Sequence, residues 1–557
     1  MKMLLAGIIA LGFLLRVIWL DQFPVGFTGD EAQQGYSAYS ILKTGRDEWG
    51  QFLTLFPRGF GDYKPPLYTY LSIPSVAIFG LNDFAVRFLT ALLGTLTILI
   101  AYFLGKELFS RNVGIWSALL LAISPWGIQL SRTAFEGGIG IPIFGLGLLF
   151  YLRSKRPDRR RPKRNQLFLI LSFLIFGFNL YSYHSWRLFT IIFLPVIIIN
   201  EYLENKKWKT LLLPVLIFSL FLLPLVSNSA TVLKRSSDVS IFSEKNIKNY
   251  FVNKGTSDLP ENIARIFDNK IIFITDQFLT NYLSYFSPTF FFTGSRPDNS
   301  YLNFPGTPLM YFVEIIFVGV GILGLMKNKE KNAKLIYTCL IFAPIPAALT
   351  DGFNAQRATT FLPLMTIISA YGLNSIISNT GIKLFKKYQS LIQLIPIFVL
   401  LGSTTLFLYN YVYKLPKHPA NNLRYGYREA FLKAISLEDQ FDSIVFSKEF
   451  SMPQIFIAFY KRTDPWYFQS SSQDWLRYEQ AKKTYVDQLE SYNLGKYEIK
   501  DINWEKELKS GKHELLVSSY SNFPEKVKPV LDIKSPKGVI IYRLVSTSEN
   551  QPVEVQK

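Results

Sequence analysis

Long apolar runs separated by short basic loops fill the chain up to residue 412, and shorter runs follow. Runs of roughly 18 to 25 apolar residues match a hydrocarbon core ~30 Å thick, and they begin near residues 3, 86, 113, 138, 167, 188, 210, 309, 335, 358 and 390. After Tyr413 the apolar runs have strand length, and they alternate with helical patterns such as 475–492. The strand-like runs are 443–447, 514–518 and 538–545. The pattern predicts a mainly α polytopic membrane domain of about 11 transmembrane helices over residues 1–412, followed by a small α/β domain over residues 413–557.

Composition agrees with a membrane protein. The chain has 557 residues, 49% hydrophobic and 16% aromatic, and their gathering into long runs indicates a bilayer protein rather than an ordinary soluble domain. The single cysteine, Cys339, excludes a disulfide or a CxxC site within the chain. His184, His418 and His513 are too scattered to indicate a zinc centre.

Basic residues lie mainly in the short loops, so the net charge of +19 predicts a topology and no nucleic-acid partner. The run 153–164 carries eight basic residues against one acid, and a topology anchor explains it better than an RNA-binding segment. The positive-inside rule then places the amino terminus in the cytoplasm and three long segments outside. These segments are 21–85, 227–308 and 413–557. We expect a multi-pass protein of the cytoplasmic membrane with its α/β domain outside.

The first outer loop carries the strongest chemical pattern. Thr28 and Glu31 have the spacing of a capping box that opens an interfacial helix over residues 32–42. The same positions suit catalysis, since Asp30 beside the cap could face a site while Glu31 serves the helix. Thirty residues later Lys64 precedes Pro65 and Pro66.

Basic residues near helix ends have two interpretations. Lys64, Arg87 and Arg187 could place their charges among lipid headgroups, which is the commoner role of such residues. Lys64 differs because the two prolines restrict its backbone and hold it more rigidly than this role requires.

These residues resemble the GT-C superfamily of membrane glycosyltransferases, in the group that contains protein O-mannosyltransferases and the lipid A aminoarabinose transferase. The resemblance covers roughly residues 1–410, and the first ninety residues are its specific portion. The matching features are Asp30-Glu31, Lys64-Pro65-Pro66-Leu67-Tyr68, Arg87, Ser124-Pro125, Ser131-Arg132, residues 181–187 and Arg357 before Leu362-Pro363.

The resemblance implies an active site at the outer membrane boundary and a sugar donor carried on polyprenyl phosphate. Asp30, with Glu31 beside it, would take the proton of the acceptor hydroxyl, which displaces polyprenyl phosphate with inversion. Lys64 would hold the phosphate, with Arg87, Arg187 and Arg357 as further clamps. Glu136 would correspond to an acid of the second outer loop that binds acceptor or metal, although relatives more often have Asp there.

The resemblance leaves the sugar and the acceptor open, so a glycan, a protein and a lipid all stay as acceptors. We expect no cofactor to be required, although oligosaccharide-transferring relatives use a divalent cation. The alternatives are a flippase or transporter of lipid-linked sugars, an oligosaccharide-transferring GT-C enzyme, and a receptor or scaffold. The near absence of charge at the span centres argues against an ion-coupled transporter.

Overall fold

The structure is a computed structural model that describes most of the chain. The described residues are 2–156, 162–206, 208–254, 269–294, 306–327, 332–350, 352–378, 389–417, 423–509 and 511–550, with the single positions 260, 263, 266, 304 and 330. They are mostly helical, with one mixed sheet near the carboxyl end.

Nineteen helices precede residue 410 within the described residues. They are α1 Lys2–Val17, α2 Gly29–Thr44, α3 Pro66–Phe79, α4 Asp83–Leu108, α5 Arg111–Ile123, α6 Pro125–Ser131, α7 Gly137–Ser154, α8 Pro162–Asn179, α9 His184–Asn205, α10 Lys209–Ser227, α11 Ser229–Val239, α12 Glu244–Lys254, α13 Lys270–Ser284, α14 Pro288–Phe292, α15 Glu314–Lys327, α16 Ala333–Phe342, α17 Ile345–Ala348, α18 Phe361–Ser378 and α19 Gln389–Tyr409.

The helices of the apolar part identify a multi-pass membrane protein. Among the described residues, six helices are long and apolar enough to cross a membrane, and the pair α5 and α6, bent by 58°, would make a seventh span. A helix begins within a few residues of every predicted start, but several are short. Helix α1 has 16 residues, about 24 Å at 1.5 Å per residue, against a core of ~30 Å. The predicted count of 11 is therefore not confirmed.

The chain divides into two compact units. One contains Met1–Ile18 and Thr90–Asn410, and the other contains Trp19–Leu89 and Tyr411–Lys557. The predicted domain of residues 1–412 includes the segment 21–85, whereas in the structure this segment belongs to the same unit as the tail. Parts of the predicted outer loop 227–308 and of the basic run 153–164 lie outside the described residues.

In the first unit, close helix packing depends on small residues. Helices α15 and α18 meet where Gly321 and Gly372 face each other's backbones, and a side chain at either position would collide with the opposite helix. Cys339 of α16 is buried among apolar side chains that include Leu104 and Leu108. At these positions the unit is close-packed, as protein interiors are.

The tail of the second unit is an α/β layer. Its strands are β1 Ser443–Ser447, β2 Ser491–Leu494, β3 Tyr497–Lys500, β4 Glu514–Ser519, β5 Leu531–Lys534 and β6 Ile540–Ser546. Its helices are α20 Tyr427–Ser436, α21 Pro453–Lys461, α22 Pro465–Trp475, α23 Arg477–Gln480 and α24 Trp504–Lys509.

The sheet has the order β2-β3-β1-β4-β6-β5, with β1 parallel to β3 and β4 and the other pairs antiparallel. Val445, Leu516 and Val545 pack in its core. The three predicted strands are confirmed. The helix predicted over 475–492 is wrong, because α23 ends at Gln480 and β2 begins at Ser491.

The second unit is held together by contacts between α2 and the tail. Tyr36 donates its hydroxyl hydrogen bond to Thr463 O at 2.9 Å. The Gln469 amide donates to Asp47 O at 3.0 Å and to Ser40 Oγ at 3.1 Å. These buried polar contacts join residues more than 400 positions apart, so the tail braces the loop that carries the acid pair.

Candidate functional site

Helix α2 begins with the predicted capping box. Thr28 Oγ1 accepts the Glu31 N–H at 3.2 Å, and Glu31 Oε2 accepts the Thr28 N–H at 2.9 Å. Two otherwise unsatisfied donors at the helix end are thereby bonded. The cap also places Asp30 in the first helical turn, where the helix dipole favours a carboxylate.

Glu31 and Arg87 form a fully buried pair. Arg87 Nε donates to Glu31 Oε1 at 2.8 Å, and Nη2 donates to Glu31 Oε2 at 3.2 Å and to Gly26 O at 2.5 Å. Nη1 donates to Leu20 O at 3.3 Å and to Pro24 O at 3.1 Å. A guanidinium has five N–H donors on three nitrogens, and these contacts engage all three nitrogens of Arg87. The geometry therefore gives Glu31 and Arg87 the task of positioning the segment before α2, and it does not support contact of either side chain with substrate.

Asp30 and Lys64, which are 34 positions apart in the sequence, meet in the structure. Lys64 Nζ lies 2.7 Å from Asp30 Oδ1 and 3.3 Å from Asp62 Oδ2. The lysine side chain is 7% exposed, whereas that of Asp30 is 24% exposed. A buried ammonium is thus held between two part-exposed carboxylates, Asp30 at 24% and Asp62 at 18%. Such an arrangement suits proton transfer beside a fixed positive charge.

The segment around Lys64 has little freedom. Lys64 N donates to Pro57 O at 2.8 Å, and Gly59 N donates to Asp62 O at 2.7 Å. Pro65 stands at the N-cap position of α3, and Pro66 is its first residue. The two proline rings restrict the backbone next to the lysine. These contacts agree with the expectation that Lys64 is rigidly held, which stays a prediction.

Asp62 is a site residue that the sequence interpretation missed. The sequence does place this carboxylate two positions before Lys64, in the loop of residues 59–64. Because the loop has no regular secondary structure, a spacing of two residues does not predict that the two side chains are in contact.

A second polar pair, Asp47 and Glu48, lies buried in the same loop. Glu48 accepts a hydrogen bond from Gln33 Nε2 at 2.8 Å and another from the Ser37 hydroxyl. Asp47 Oδ1 accepts from the backbone N–H of Trp49 and of Gln51. Burial, together with the neighbouring Asp47, raises the pKa of Glu48 above its ordinary value. Burial likewise raises the pKa of Asp47. This pair was not predicted from the sequence.

The first unit contains a mostly apolar cavity of about 490 Å³ that Arg187 and Arg357 both line. Leu188, Ile191 and Leu233 contribute to its apolar wall. Arg187 is 8% exposed, and its Nε donates to Leu180 O at 2.8 Å. Two guanidinium groups in an apolar cavity can hold an anionic head whose remainder is hydrocarbon.

Glu136 stands at the start of α7, apart from the residues that line this cavity. It is 7% exposed and precedes Gly137, whose carbonyl accepts the Trp186 indole N–H at 3.0 Å. Trp186 also donates to Thr359 Oγ1 at 3.1 Å. These bonds tie α7, α9 and the segment before α18 together. The role of Glu136 in binding acceptor or metal stays a prediction.

The predicted site residues thus fall into two groups. Asp30, Glu31, Lys64 and Arg87 are brought together in the second unit, and Arg187 and Arg357 share a cavity in the first. Within the part of the chain that the structure describes, no three His, Cys, Asp or Glu side chains gather as a metal ion would require. The expectation that no cofactor is required stays a prediction.

Comparison with known proteins agrees with these features. Residues 63–228 match the family model for dolichyl-phosphate-mannose-protein mannosyltransferase. No curated protein sequence matches the chain significantly.

Among solved structures, ArnT from Cupriavidus metallidurans in the apo state aligns over 98% of both chains, with 12% identity and a TM-score of 0.55. The same protein bound to undecaprenyl phosphate aligns over 97% of both chains, with 12% identity and a TM-score of 0.53. The Archaeoglobus fulgidus oligosaccharyltransferase aligns over 82% of this chain and 58% of its own, with 15% identity and a TM-score of 0.50. At such identities the likeness shows a shared fold.

Proposed function

We propose that this chain is a membrane glycosyltransferase of the GT-C superfamily, which the family match and the shared fold support. On that premise, it transfers a monosaccharide from a polyprenyl-phosphate carrier to an acceptor hydroxyl. The reaction takes place at the outer face of the cytoplasmic membrane. The observation that carries the proposal is the contact of 2.7 Å between the Lys64 ammonium and the part-exposed Asp30 carboxylate.

Asp30 acts as the general base. The acceptor hydroxyl gives its proton to Asp30, and its oxygen attacks the anomeric carbon of the sugar. The bond from that carbon to the phosphate oxygen breaks on the opposite face, so the configuration inverts and polyprenyl phosphate leaves. Proton transfer to a positioned carboxylate contributes about 10²–10⁴-fold in rate.

Lys64 stabilises the negative charge that develops on the departing phosphate. A cation already in place needs no reorganisation during the reaction, and it acts more strongly in a site that excludes water than in solution. Because Lys64 also contacts Asp30, it fixes the orientation of the base.

The cavity lined by Arg187 and Arg357 is suited to the lipid carrier. Its apolar wall matches a polyprenyl chain, and its two guanidinium groups match a phosphate. The solved ArnT, which shares this fold, was crystallised with undecaprenyl phosphate, and this supports the choice of carrier class.

We further propose that the reaction requires no divalent cation, because Lys64 supplies positive charge where the phosphate leaves. Transfer by the purified protein should therefore be unchanged by an excess of EDTA. A loss of activity in EDTA that Mg²⁺ or Mn²⁺ restores would contradict the proposed independence of divalent cations. It would leave the proposed transfer reaction itself unaffected.

The decisive experiment measures sugar transfer and release in proteoliposomes with a panel of radiolabelled polyprenyl-phosphate monosaccharides. We expect Asp30→Asn to lower the rate by about 10²–10⁴-fold and Lys64→Met by about 10²-fold. Asp62→Asn is the matched control, because it also removes a carboxylate from Lys64 but leaves the proposed base. It should retain activity within about tenfold of the wild type.

Two outcomes would reject the proposal. Movement of intact lipid-linked sugar between leaflets without cleavage would identify a flippase. Equal activity of the wild type and a folded Asp30→Asn variant would show that Asp30 is not the general base, and it would reject the proposed mechanism. Size-exclusion profiles and thermal unfolding of each variant show whether the fold is intact.

A further inference from the structure

The tail of the second unit contains a polar cavity of about 400 Å³ that the proposed transfer reaction does not use. It lies where α21 ends and α22 begins, beside the turn that joins β2 to β3. The residues that line it include Glu438, Lys461, Thr463, Tyr467, Lys496 and Tyr497. Its volume falls within the range of about 300–1,000 Å³ that small-molecule sites occupy.

One wall of the cavity is an ordered set of charged groups. The Lys461 ammonium lies 2.5 Å from Glu438 Oε2, and the Tyr497 hydroxyl donates to the same oxygen at 2.8 Å. Lys461 Nζ also stands 5.1 Å from the centre of the Tyr497 ring. Burial tends to raise the pKa of Glu438, but Lys461 and Tyr497 together lower it below its ordinary value. The wall therefore presents fixed donors and an ionised acceptor.

Tyrosine rings provide apolar faces within this polar setting. Tyr467 is 47% exposed on the first turn of α22. Its hydroxyl stands against Gly495, where an added Cβ would lie 2.9 Å from that oxygen. Gly495 has a φ of +62°, so the turn needs glycine for its backbone and for the space that Tyr467 fills.

Thr463 is one of the lining residues and is 8% exposed. Its Oγ1 is enclosed by protein and has no hydrogen-bond partner among the described residues. The surface that a ligand can contact is therefore formed by the charged and tyrosine side chains of the lining.

The cavity is connected to the helix that carries Asp30. Thr463 O accepts the hydrogen bond from Tyr36 of α2, and Tyr36 follows Asp30 by six positions, which is about 9 Å along a helix axis. The cavity and Asp30 thus lie in the same unit and are joined through a buried contact, and the acceptor role requires an elongated acceptor that reaches both.

We propose that this cavity binds a saccharide that carries a negative charge, and that this saccharide is the part of the acceptor that does not react. Sugar rings have apolar faces that pack on tyrosines and hydroxyl edges that bond to charged groups. The lining carries three cations, Lys461, Arg462 and Lys496, against the two acids Glu438 and Asp464, which favours an anion. The assignment to the acceptor rests on the proposed transfer reaction.

Direct binding tests the site without any donor. Saturation-transfer NMR on the full chain in nanodiscs would compare glucuronate, glucose 6-phosphate and glucose as probes. We expect the two anionic sugars to bind at least tenfold more tightly than glucose. Tyr467→Ala should weaken this binding at least tenfold, and Lys496→Gln should weaken it for the anions only.

Trp466→Ala is the matched control, because Trp466 is also exposed on the first turn of α22 but does not line the cavity. It should bind all probes as the wild type does. No saccharide binding, equal loss in both aromatic variants, or preference for an acidic peptide would overturn the proposal. Tyr497→Phe, which keeps the ring and removes only the hydroxyl, provides a second variant if Tyr467→Ala does not fold.

A kinetic experiment separates this proposal from the transfer reaction. If the wild type cleaves no polyprenyl-phosphate sugar, the proposed function fails while saccharide binding can still be observed. If cleavage occurs, Tyr467→Ala should raise the KM for an anionic glycan acceptor at least tenfold and Trp466→Ala should not. Unchanged KM values in a folded Tyr467→Ala variant would reject the acceptor role.

Discussion

At the scale of single residues, the charged side chains of the first outer loop differ in how much of their bonding capacity the fold already uses. Arg87 and Glu31 are fully buried and bonded to each other and to the backbone. Asp30 keeps about a quarter of its side chain exposed. Adjacent acids thus have different tasks, since one stabilises the loop and the other is accessible to a substrate.

This difference predicts distinct effects of substitution. Arg87→Met should destabilise the protein by about 3–5 kcal/mol, because it leaves the Glu31 carboxylate buried without its cation. The double variant Glu31→Gln/Arg87→Met should lose less free energy of unfolding than the two single variants lose together, because it buries no unpaired charge. Denaturant unfolding of the three variants measures the coupling.

Asp30→Asn serves as the comparison, because it should lose activity while Lys64 keeps the Asp62 carboxylate, so its loss of stability should be smaller than that of Arg87→Met. An Arg87→Met protein that is as stable as the wild type but inactive would contradict the positioning role. That result would favour the phosphate clamp suggested by the sequence.

At the scale of elements, α2 links the first outer loop to the tail. Its Gly35 faces Val86 and Phe459, and a Cβ at this position would collide with both side chains, lying 2.7 Å from Phe459 Cε2. A glycine costs helix stability, but it allows α2 to approach α21 closely. The helix that carries Asp30 is therefore positioned by packing along its length as well as by its cap.

Replacing this glycine should weaken the packing. Gly35→Ala should lower the free energy of unfolding by about 1–3 kcal/mol, because the extra methyl group overpacks the contact. Gly402→Ala in α19 is the control, since nothing lies within 4 Å of a Cβ there, and it should be neutral or slightly stabilising. Thermal unfolding of both variants measures the difference in their stability. A Gly35→Ala protein as stable as the Gly402→Ala control would contradict a tight contact at Gly35.

Local signals predicted the elements, whereas long-range pairing was not predictable. The capping box of Thr28 and Glu31 and the proline restraint on Lys64 depend on neighbours a few positions away, and both are present. The bond from Tyr36 to Thr463 joins positions 427 residues apart, and no periodicity encodes it. The pairing of Arg87 with Glu31 likewise appears only in three dimensions, so the sequence does not distinguish it from the phosphate contact that the resemblance implies.

At the scale of the whole molecule, the buried acids Asp47 and Glu48 make stability depend on pH. An acid whose pKa is raised by folding binds more protons in the folded state than in the unfolded state. The free energy of unfolding therefore falls as pH rises from the ordinary pKa of Glu48, 4.5, through the raised value. Ionisation of Glu48 would place a second negative charge beside Asp47, and Arg58 is the nearby cation.

We expect the Tm of the wild type to fall by several degrees between pH 5 and pH 8 relative to that of Glu48→Gln, which cannot ionise. The comparison isolates Glu48, because every other titrating group is common to both proteins. Differential scanning calorimetry at intervals of half a pH unit measures the difference. Parallel curves for the two proteins would show that Glu48 has an ordinary pKa.

The buried position of Cys339 has a practical consequence for mapping the orientation of the chain. The sequence has no other cysteine, and this thiol is 1% exposed among apolar side chains, so a membrane-impermeant maleimide should leave the native protein unlabelled. A cysteine introduced into one loop at a time would then react only from the side of the membrane that the loop faces. The native protein is its own blank for such labelling, and no cysteine-free background has to be made first.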